Sequence, residues 1–137
     1  MATYSREEVL AYHKGGKVGV TLPTPLKTKD DLCLAYTPGV AHAVKAIAEN
    51  PSAIYDCTAK PNLVAVVSDG TAILGLGDLG AAASIPVMEG KAVLFKSFGD
   101  VDAWPVPLAT SHGLMTCRPN LMTQSHSDAA TTTWMMA

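Results

Sequence analysis

The sequence predicts an α/β fold in which a small parallel or mixed sheet is flanked by helices. The main evidence is the branched apolar run from Leu63 to Val67, bounded by turn residues, which is typical of a strand covered on both faces. The apolar run from Lys91 to Phe95 is a second candidate for a buried strand. Helical periodicity, clearest between Val40 and Ala48, supplies the layers that would cover such a sheet.

Size and composition favour one folded domain. The chain has 137 residues, of which 48% are apolar and 16% charged, well outside the range of disordered proteins. The net charge is −2 and no long run of Lys or Arg is present, so nucleic acid is not an expected partner. The cysteine spacing favours neither a disulfide framework nor a zinc site. With no signal peptide and no membrane-spanning run, we expect a soluble, cytoplasmic protein that does not bind membranes.

Capping and turn residues place the elements of the first half. Ser5 is suited to cap a helix, and Gly15 with the glycine after it ends that helix. The stretch from Lys17 to Leu22 alternates weakly and predicts a short strand within an arm that packs on another surface. The helix from Val40 to Ala48 ends at an Asn-Pro pair. Tyr36 therefore lies just before the start of a helix.

The glycines Gly75, Gly77 and Gly80 follow the predicted strand and match the G-x-G-x-x-G pattern of a dinucleotide pyrophosphate site. Asp100, 20 residues beyond Gly80, has the spacing of the acidic residue that binds the ribose. Against a cofactor site, several residues separate the strand from the glycines, and the helix that follows has only five residues before Pro86. The other interpretation is that the glycines allow close backbone approach near a helix N-terminus.

Two side chains are candidates for proton transfer. Tyr36 has a phenol suited to a general acid, and a partly buried Lys91 could serve as a base at neutral pH. Each has an ordinary structural explanation, a packed ring and a solvated charge at a strand edge. The carboxylates of Asp69, Asp78, Asp100 and Asp102 could bind a divalent ion, but near turns they are more typical of local hydrogen bonds to the backbone.

Three ordered blocks resemble the N-terminal domain of bacterial-type malic enzymes. They are Leu34–Ala41 (Leu-Ala-Tyr-Thr-Pro-Gly-Val-Ala), Thr58–Gly80 and Pro86–Phe95, and the resemblance extends from about Tyr12 to Pro107. It implies an enzyme that oxidises malate with NAD or NADP and a divalent Mg or Mn ion and then releases CO2 to leave pyruvate. It also implies that Tyr36 is the acid that protonates enolpyruvate and Lys91 the base toward the malate hydroxyl.

The resemblance also implies what this chain lacks. The family binds its nicotinamide cofactor in a separate downstream domain, so none of the glycines is expected to hold a cofactor here. The family's metal ligands come from a Glu-Asp pair and an Asp-Asp-x-x-Gly-Thr block, and the sequence contains neither, so no metal-binding residue is expected. We therefore expect residues 1–107 to be a malic enzyme N-terminal domain from a truncated enzyme, inactive alone, followed by an atypical, irregular tail at 108–137 that is non-native or disordered.

Two other functions stay open on sequence grounds. One is a non-catalytic dimerisation or binding module, because the corresponding family domain contributes to subunit contacts, which makes a homo-oligomer the expected state. The other is a minimal dinucleotide-binding domain that uses Gly75–Gly80. The preference between NAD and NADP is not encoded in this chain, because the resemblance places that choice in the downstream domain.

Overall fold

The computed structural model describes residues 4–109 and 134–136. The chain divides into two compact units. We name Met1–Gly19 together with Leu63–Ala137 the sheet unit, and Val20–Asn62 the helical unit. In chain order the elements are α1 (Arg6–His13), α2 (Lys29–Ala35), α3 (Val40–Glu49), α4 (Ile54–Cys57), β1 (Leu63–Ser68), α5 (Gly80–Gly99), β2 (Asp102–Pro107) and β3 (Trp134–Met136).

The sheet unit is a β–α–β arrangement with one added strand. β1 and β2 are parallel and pair along their whole length, from Leu63 opposite Asp102 to Ser68 opposite Pro107. β3 pairs antiparallel with Ala65–Val67, which gives the order β2-β1-β3. The predicted small mixed sheet flanked by helices is confirmed. Apart from β3, the predicted irregular tail lies almost wholly outside the described residues.

One face of α5 forms the core with the sheet. Ser84, Met88 and Ala92 are the buried residues of α5, and they recur every four residues, close to one helical turn. The core cluster consists of Val66, Met88, Ala92 and Ala103, with Val18, Val64 and Phe95 packed against it. The helix is therefore fixed by the side chains it buries against β1 and β2.

The length of α5 corrects two predictions. Pro86 does not end the helix after five residues, and the stretch from Lys91 to Phe95 is not a strand, because α5 continues from Gly80 to Gly99. A proline inside a helix costs roughly 3 kcal/mol. Full burial of Met88 contributes about 1.5–3 kcal/mol, which is comparable to the cost of the proline.

Two further strand predictions are affected. The stretch from Lys17 to Leu22 is not a strand, so that prediction is wrong. β2 was not predicted, because Pro105 and Pro107 argue against a strand in the middle of a sheet. Among the described strands β2 lies at an edge of the sheet, where a missing N–H group is tolerated.

The helical unit is organised by caps and turns. Thr28 and Asp31 form a reciprocal capping box at the start of α2, with the Thr28 hydroxyl accepting from the Asp31 N–H at 3.1 Å. Asn50 caps the short 3₁₀ turn Pro51–Ala53 that follows α3, so the predicted end of that helix is confirmed. None of the residues in this unit is buried. Its secondary structure is therefore specified mainly by local signals.

Candidate functional site

Lys91 lies in the middle of α5 and not at the start of a strand as predicted. It follows the fully buried Met88 by three residues and precedes the half-buried Phe95 by four, which places it beside the buried face of the helix. Lys91 is itself half-buried. Among the described residues, no hydrogen bond or ion pair to its ammonium group is formed. The amine is thus held on a rigid element and is open to a ligand.

Tyr36 ends α2 and begins the turn toward α3, so its predicted place before a helix is confirmed. Its N–H donates to the Leu32 carbonyl at 2.9 Å, and its own carbonyl accepts from the Val40 N–H at 2.7 Å. The backbone of Tyr36 is therefore fixed on both sides. The side chain is 67% exposed, which leaves the phenol accessible to a ligand.

Gly39 explains why the chain turns tightly after Tyr36. A Cβ atom at Gly39 would lie 2.5 Å from the Cys33 carbonyl oxygen and 2.7 Å from the Leu34 carbonyl oxygen. Only glycine permits that approach, because both contacts are to backbone atoms. The turn that presents Tyr36 thus depends on the Pro-Gly pair in the sequence. Tyr36 belongs to the helical unit and Lys91 to the sheet unit, and their joint role stays a prediction.

The glycine-rich segment forms a long loop that closes on itself. It connects Ser68 at the end of β1 to Gly80 at the start of α5. The Gly70 carbonyl accepts from the N–H groups of Leu79 and Gly80 at 3.3 and 3.2 Å. The Gly80 N–H also lies 3.2 Å from an Asp78 carboxylate oxygen. The first amide of α5, which would face a phosphate in a dinucleotide site, is therefore already bonded within the chain.

The position of Asp100 also argues against a dinucleotide at this loop. Asp100 precedes the first residue of β2, and that residue, Asp102, pairs with Leu63 at the start of β1. The glycine loop leaves the other end of β1, after Ser68. A side chain at one end of the parallel pair cannot bind the ribose of a nucleotide at the other. Because α5 continues past Pro86, a short helix can no longer be used as an argument against a cofactor site. The length of the loop and the position of Asp100 still indicate that these glycines do not bind a dinucleotide.

The remaining aspartates have local partners. Asp69 accepts from the Thr71 N–H at 3.1 Å and from the Thr71 hydroxyl at 2.8 Å. Lys96 forms ion pairs with Asp100 at 2.6 Å and with Asp102 at 3.0 Å, and the Lys96 ammonium lowers the pKa of Asp100. Within residues 4–109 and 134–136, no three His, Cys, Asp or Glu side chains are grouped as metal ligands would be. Asp69 and Asp78 have the predicted hydrogen bonds to nearby backbone groups, whereas Asp100 and Asp102 form ion pairs with the Lys96 side chain.

The sequence that forms these elements matches one protein family. The family profile described as malic enzyme, N-terminal domain, matches residues 16–122. The chain therefore belongs to the malic enzyme family and carries its N-terminal domain. The match continues past Pro107, so it does not mark a change at residue 108, and that domain boundary stays a prediction.

Individual relatives agree with the profile. The NAD-dependent malic enzyme of Geobacillus stearothermophilus is 59% identical over 98 residues, which cover 72% of this chain and 20% of the relative. The NADP-dependent malic enzyme of Rhizobium meliloti is 53% identical over 115 residues, 82% of this chain and 15% of the relative. The crystal structure of malic enzyme from Pyrococcus horikoshii superposes with a TM-score of 0.74 at 51% identity, covering 78% of this chain and 26% of that one. The chain thus spans about a quarter or less of these relatives.

None of the helices in the described part of the chain is long and apolar enough to cross a membrane. The described cysteines, Cys33 and Cys57, are free thiols. The roles of Tyr36 and Lys91 stay predictions.

Proposed function

We propose that this chain supplies the acid and the base of a malic enzyme, which converts malate to pyruvate and CO2 with NAD or NADP and a divalent metal ion. The observation that carries the proposal is the pair of motifs around Tyr36 and Lys91 within a domain 59% identical to an NAD-dependent malic enzyme. In this role Lys91 removes the proton of the substrate hydroxyl, and Tyr36 returns a proton to the carbon left after CO2 is released. Pyruvate metabolism in the cytoplasm is the corresponding biological setting.

The residues of the glycine loop do not fit a nicotinamide cofactor, and the chain lacks the family's metal-ligand motifs. We therefore assign both groups to the part of the longer relatives that this chain does not span. What this chain contributes is a proton donor on a fixed turn and an amine on a rigid helix. The chain alone is expected to give no turnover, and robust turnover by the purified chain would contradict that division.

A chimera tests the roles of the two residues. Residues 16–107 of this chain replace the matched segment of the Geobacillus stearothermophilus enzyme, where high identity favours correct assembly. We expect the chimera to oxidise malate, and Lys91→Ala to lower kcat by about 100-fold or more, since a positioned base contributes roughly 10²–10⁴-fold. Tyr36→Phe should slow proton return by a similar factor.

Two matched variants serve as controls. Lys96→Ala removes an exposed basic residue of the same helix, and Tyr55→Phe removes the hydroxyl of an exposed tyrosine in the same unit as Tyr36. Both should leave kcat within about twofold of the chimera, as expected of surface changes away from a site. Equal losses in Lys91→Ala and Lys96→Ala would show that helix integrity, and not the Lys91 amine, sets the rate.

We further propose that the chain self-associates, with the helical unit as the contact surface. That unit exposes large apolar side chains, including Leu22 at 74%, Leu34 at 75% and Val44 at 61%. Large apolar side chains exposed in this number are expected where another protein covers them. Light scattering at micromolar concentration should give the mass of at least a dimer, and the mass of one chain would contradict the proposal.

A further inference from the structure

We name residues 4–18 the N-terminal arm, which lies within the sheet unit and makes polar contacts to α5 through Lys17. α1 has no buried residue, so this helix contributes little burial that could hold the arm in place. The chain leaves α1 through Gly15 and Gly16, both with positive φ, and then reaches α5. Val18, two residues further on, packs against the core cluster. The attachment of the arm is therefore made by residues 16–18.

Lys17 donates two hydrogen bonds to α5, one from its backbone and one from its side chain. The Lys17 N–H donates to a Glu89 carboxylate oxygen at 3.2 Å, and the Lys17 ammonium donates to the Pro86 carbonyl at 2.8 Å. Each contact joins a charged group to a backbone group, and such bonds are stronger than neutral ones. The bond from the Lys17 N–H to Glu89 is partly buried, which limits competition from water there, whereas the bond from the Lys17 ammonium to Pro86 is exposed.

Gly16 leaves room for the Glu89 carboxylate beside the backbone of the arm. A Cβ atom at Gly16 would lie 2.9 Å from the second Glu89 carboxylate oxygen, and its φ of +80° disfavours any other residue. The absence of a side chain lets the carboxylate approach the arm backbone closely. The contact therefore depends on three residues together, Gly16 and Lys17 of the arm and Glu89 of α5.

The two contacts of Lys17 also lie beside the turn of α5 that lacks a backbone hydrogen bond at Pro86. Proline has no N–H group, so Pro86 cannot donate to the carbonyl of Ala82 as a regular helix requires. The Lys17 ammonium donates to the carbonyl of Pro86 itself, and the Glu89 carboxylate, three residues further along α5, accepts from the Lys17 N–H. The arm thus contacts the helix on the C-terminal side of its missing hydrogen bond, and Glu89 lies two residues before Lys91.

We propose that Glu89 and Lys17 are positioning residues that latch the N-terminal arm onto α5 across the Pro86 turn. The latch holds the arm on its own chain, which differs from the sequence interpretation of an arm that packs on another surface. It does not depend on the proposed role of Lys91, and its test needs no catalytic activity.

Amide hydrogen exchange of the purified chain tests the latch. In Glu89→Ala we expect the Lys17 amide to exchange about tenfold faster or more, the loss that corresponds to one hydrogen bond to a charged group. Glu89→Gln retains an acceptor oxygen and should give an intermediate rate. Glu49→Ala, which removes an exposed glutamate at the end of α3, is the matched control and should leave the Lys17 amide unchanged.

The amides of Val66 and Val67 separate a local from a global effect. These buried residues of β1 should keep their protection in every variant if the latch is local. An unchanged Lys17 amide in Glu89→Ala, with β1 still protected, overturns the proposal. If Glu89→Ala exposes β1 as well, Lys17→Met decides: faster exchange confined to residues 15–19 supports the latch, and no change there overturns it.

Limited trypsin digestion gives an independent readout on the same chain. Lys14 is exposed and Lys17 is half-buried with its ammonium bound, so cleavage after Lys14 should precede cleavage after Lys17. Glu89→Ala should speed cleavage after Lys17 by several-fold with little change after Lys14. Equal acceleration at both sites would show general loosening of the arm and would contradict a latch at residues 16–18.

Discussion

The two units of this chain are stabilised in different ways. Every described residue that is buried belongs to the sheet unit, where Val66 and Met88 are fully inaccessible to water. The helical unit buries none of its residues and depends on the caps of Thr28 and Asn50 and on the turn at Gly39. The difference shows that one domain can combine a unit specified by packing with a unit specified by local backbone chemistry.

The difference between the two units predicts that truncating an apolar side chain lowers the free energy of unfolding far more in the sheet unit than in the helical unit. Met88→Ala removes a side chain with no solvent exposure and should lower the free energy of unfolding of the sheet unit by about 2–5 kcal/mol. Val44→Ala removes a side chain of α3 that is 61% exposed, and its effect should stay within about 0.5 kcal/mol. Urea unfolding followed by tryptophan fluorescence reports the sheet unit through Trp104 in β2, and far-UV circular dichroism also reports the helices of the other unit. Similar losses in the two variants would remove the distinction between the units.

A glycine pair sharpens the same comparison within the sheet unit. Gly70 and Gly75 have the same φ of +75°, but a Cβ at Gly70 would lie 2.1 Å from the Gly80 carbonyl oxygen, whereas none of the described atoms lies within 4 Å at Gly75. Gly75→Ala should cost only the left-handed strain, about 1–2 kcal/mol. Gly70→Ala adds a clash between backbones and should cost roughly 2 kcal/mol more. Urea midpoints measure both, and equal values would show that the loop adjusts freely.

The smallest effect concerns pH and the helical unit. Hydrogen bonds from the N–H groups of Lys27 and Thr28, and then from the Thr28 hydroxyl, lower the pKa of Asp31 below its usual 3.8. Because the folded pKa is the lower one, the stabilisation is present above about pH 4 and is lost as the pH falls through the folded value. The Lys27 and Thr28 amide proton shifts should therefore move at a pH below 3.8. In Asp31→Asn that titration should vanish, and its persistence would assign it to another group.

Local signals in the sequence were sufficient where the structure is local. The cap at Ser5, the helix from Val40, its end at Asn50 and the β1 strand all follow from capping, period and turn residues. Tyr36 could be placed before a helix for the same reason. Lys91 could be selected as a candidate, but only the resemblance gave it a role, because a lysine beside an apolar run has no distinctive pattern.

The tertiary structure decided what α5 is and where Lys91 lies. An apolar stretch such as Ala92 to Phe95 is compatible with either a strand or a buried helix. From the sequence, Pro86 argues against a helix that continues to Gly99. The deciding contribution is burial: Ser84, Met88 and Ala92 face the sheet only if the segment is helical throughout, and that packing offsets the proline. The sequence by itself therefore determined the family, the caps and the central strand. Packing between segments that are distant in the sequence determined the full length of α5, the edge position of the proline-containing strand β2 and the contact of Lys17 with Glu89.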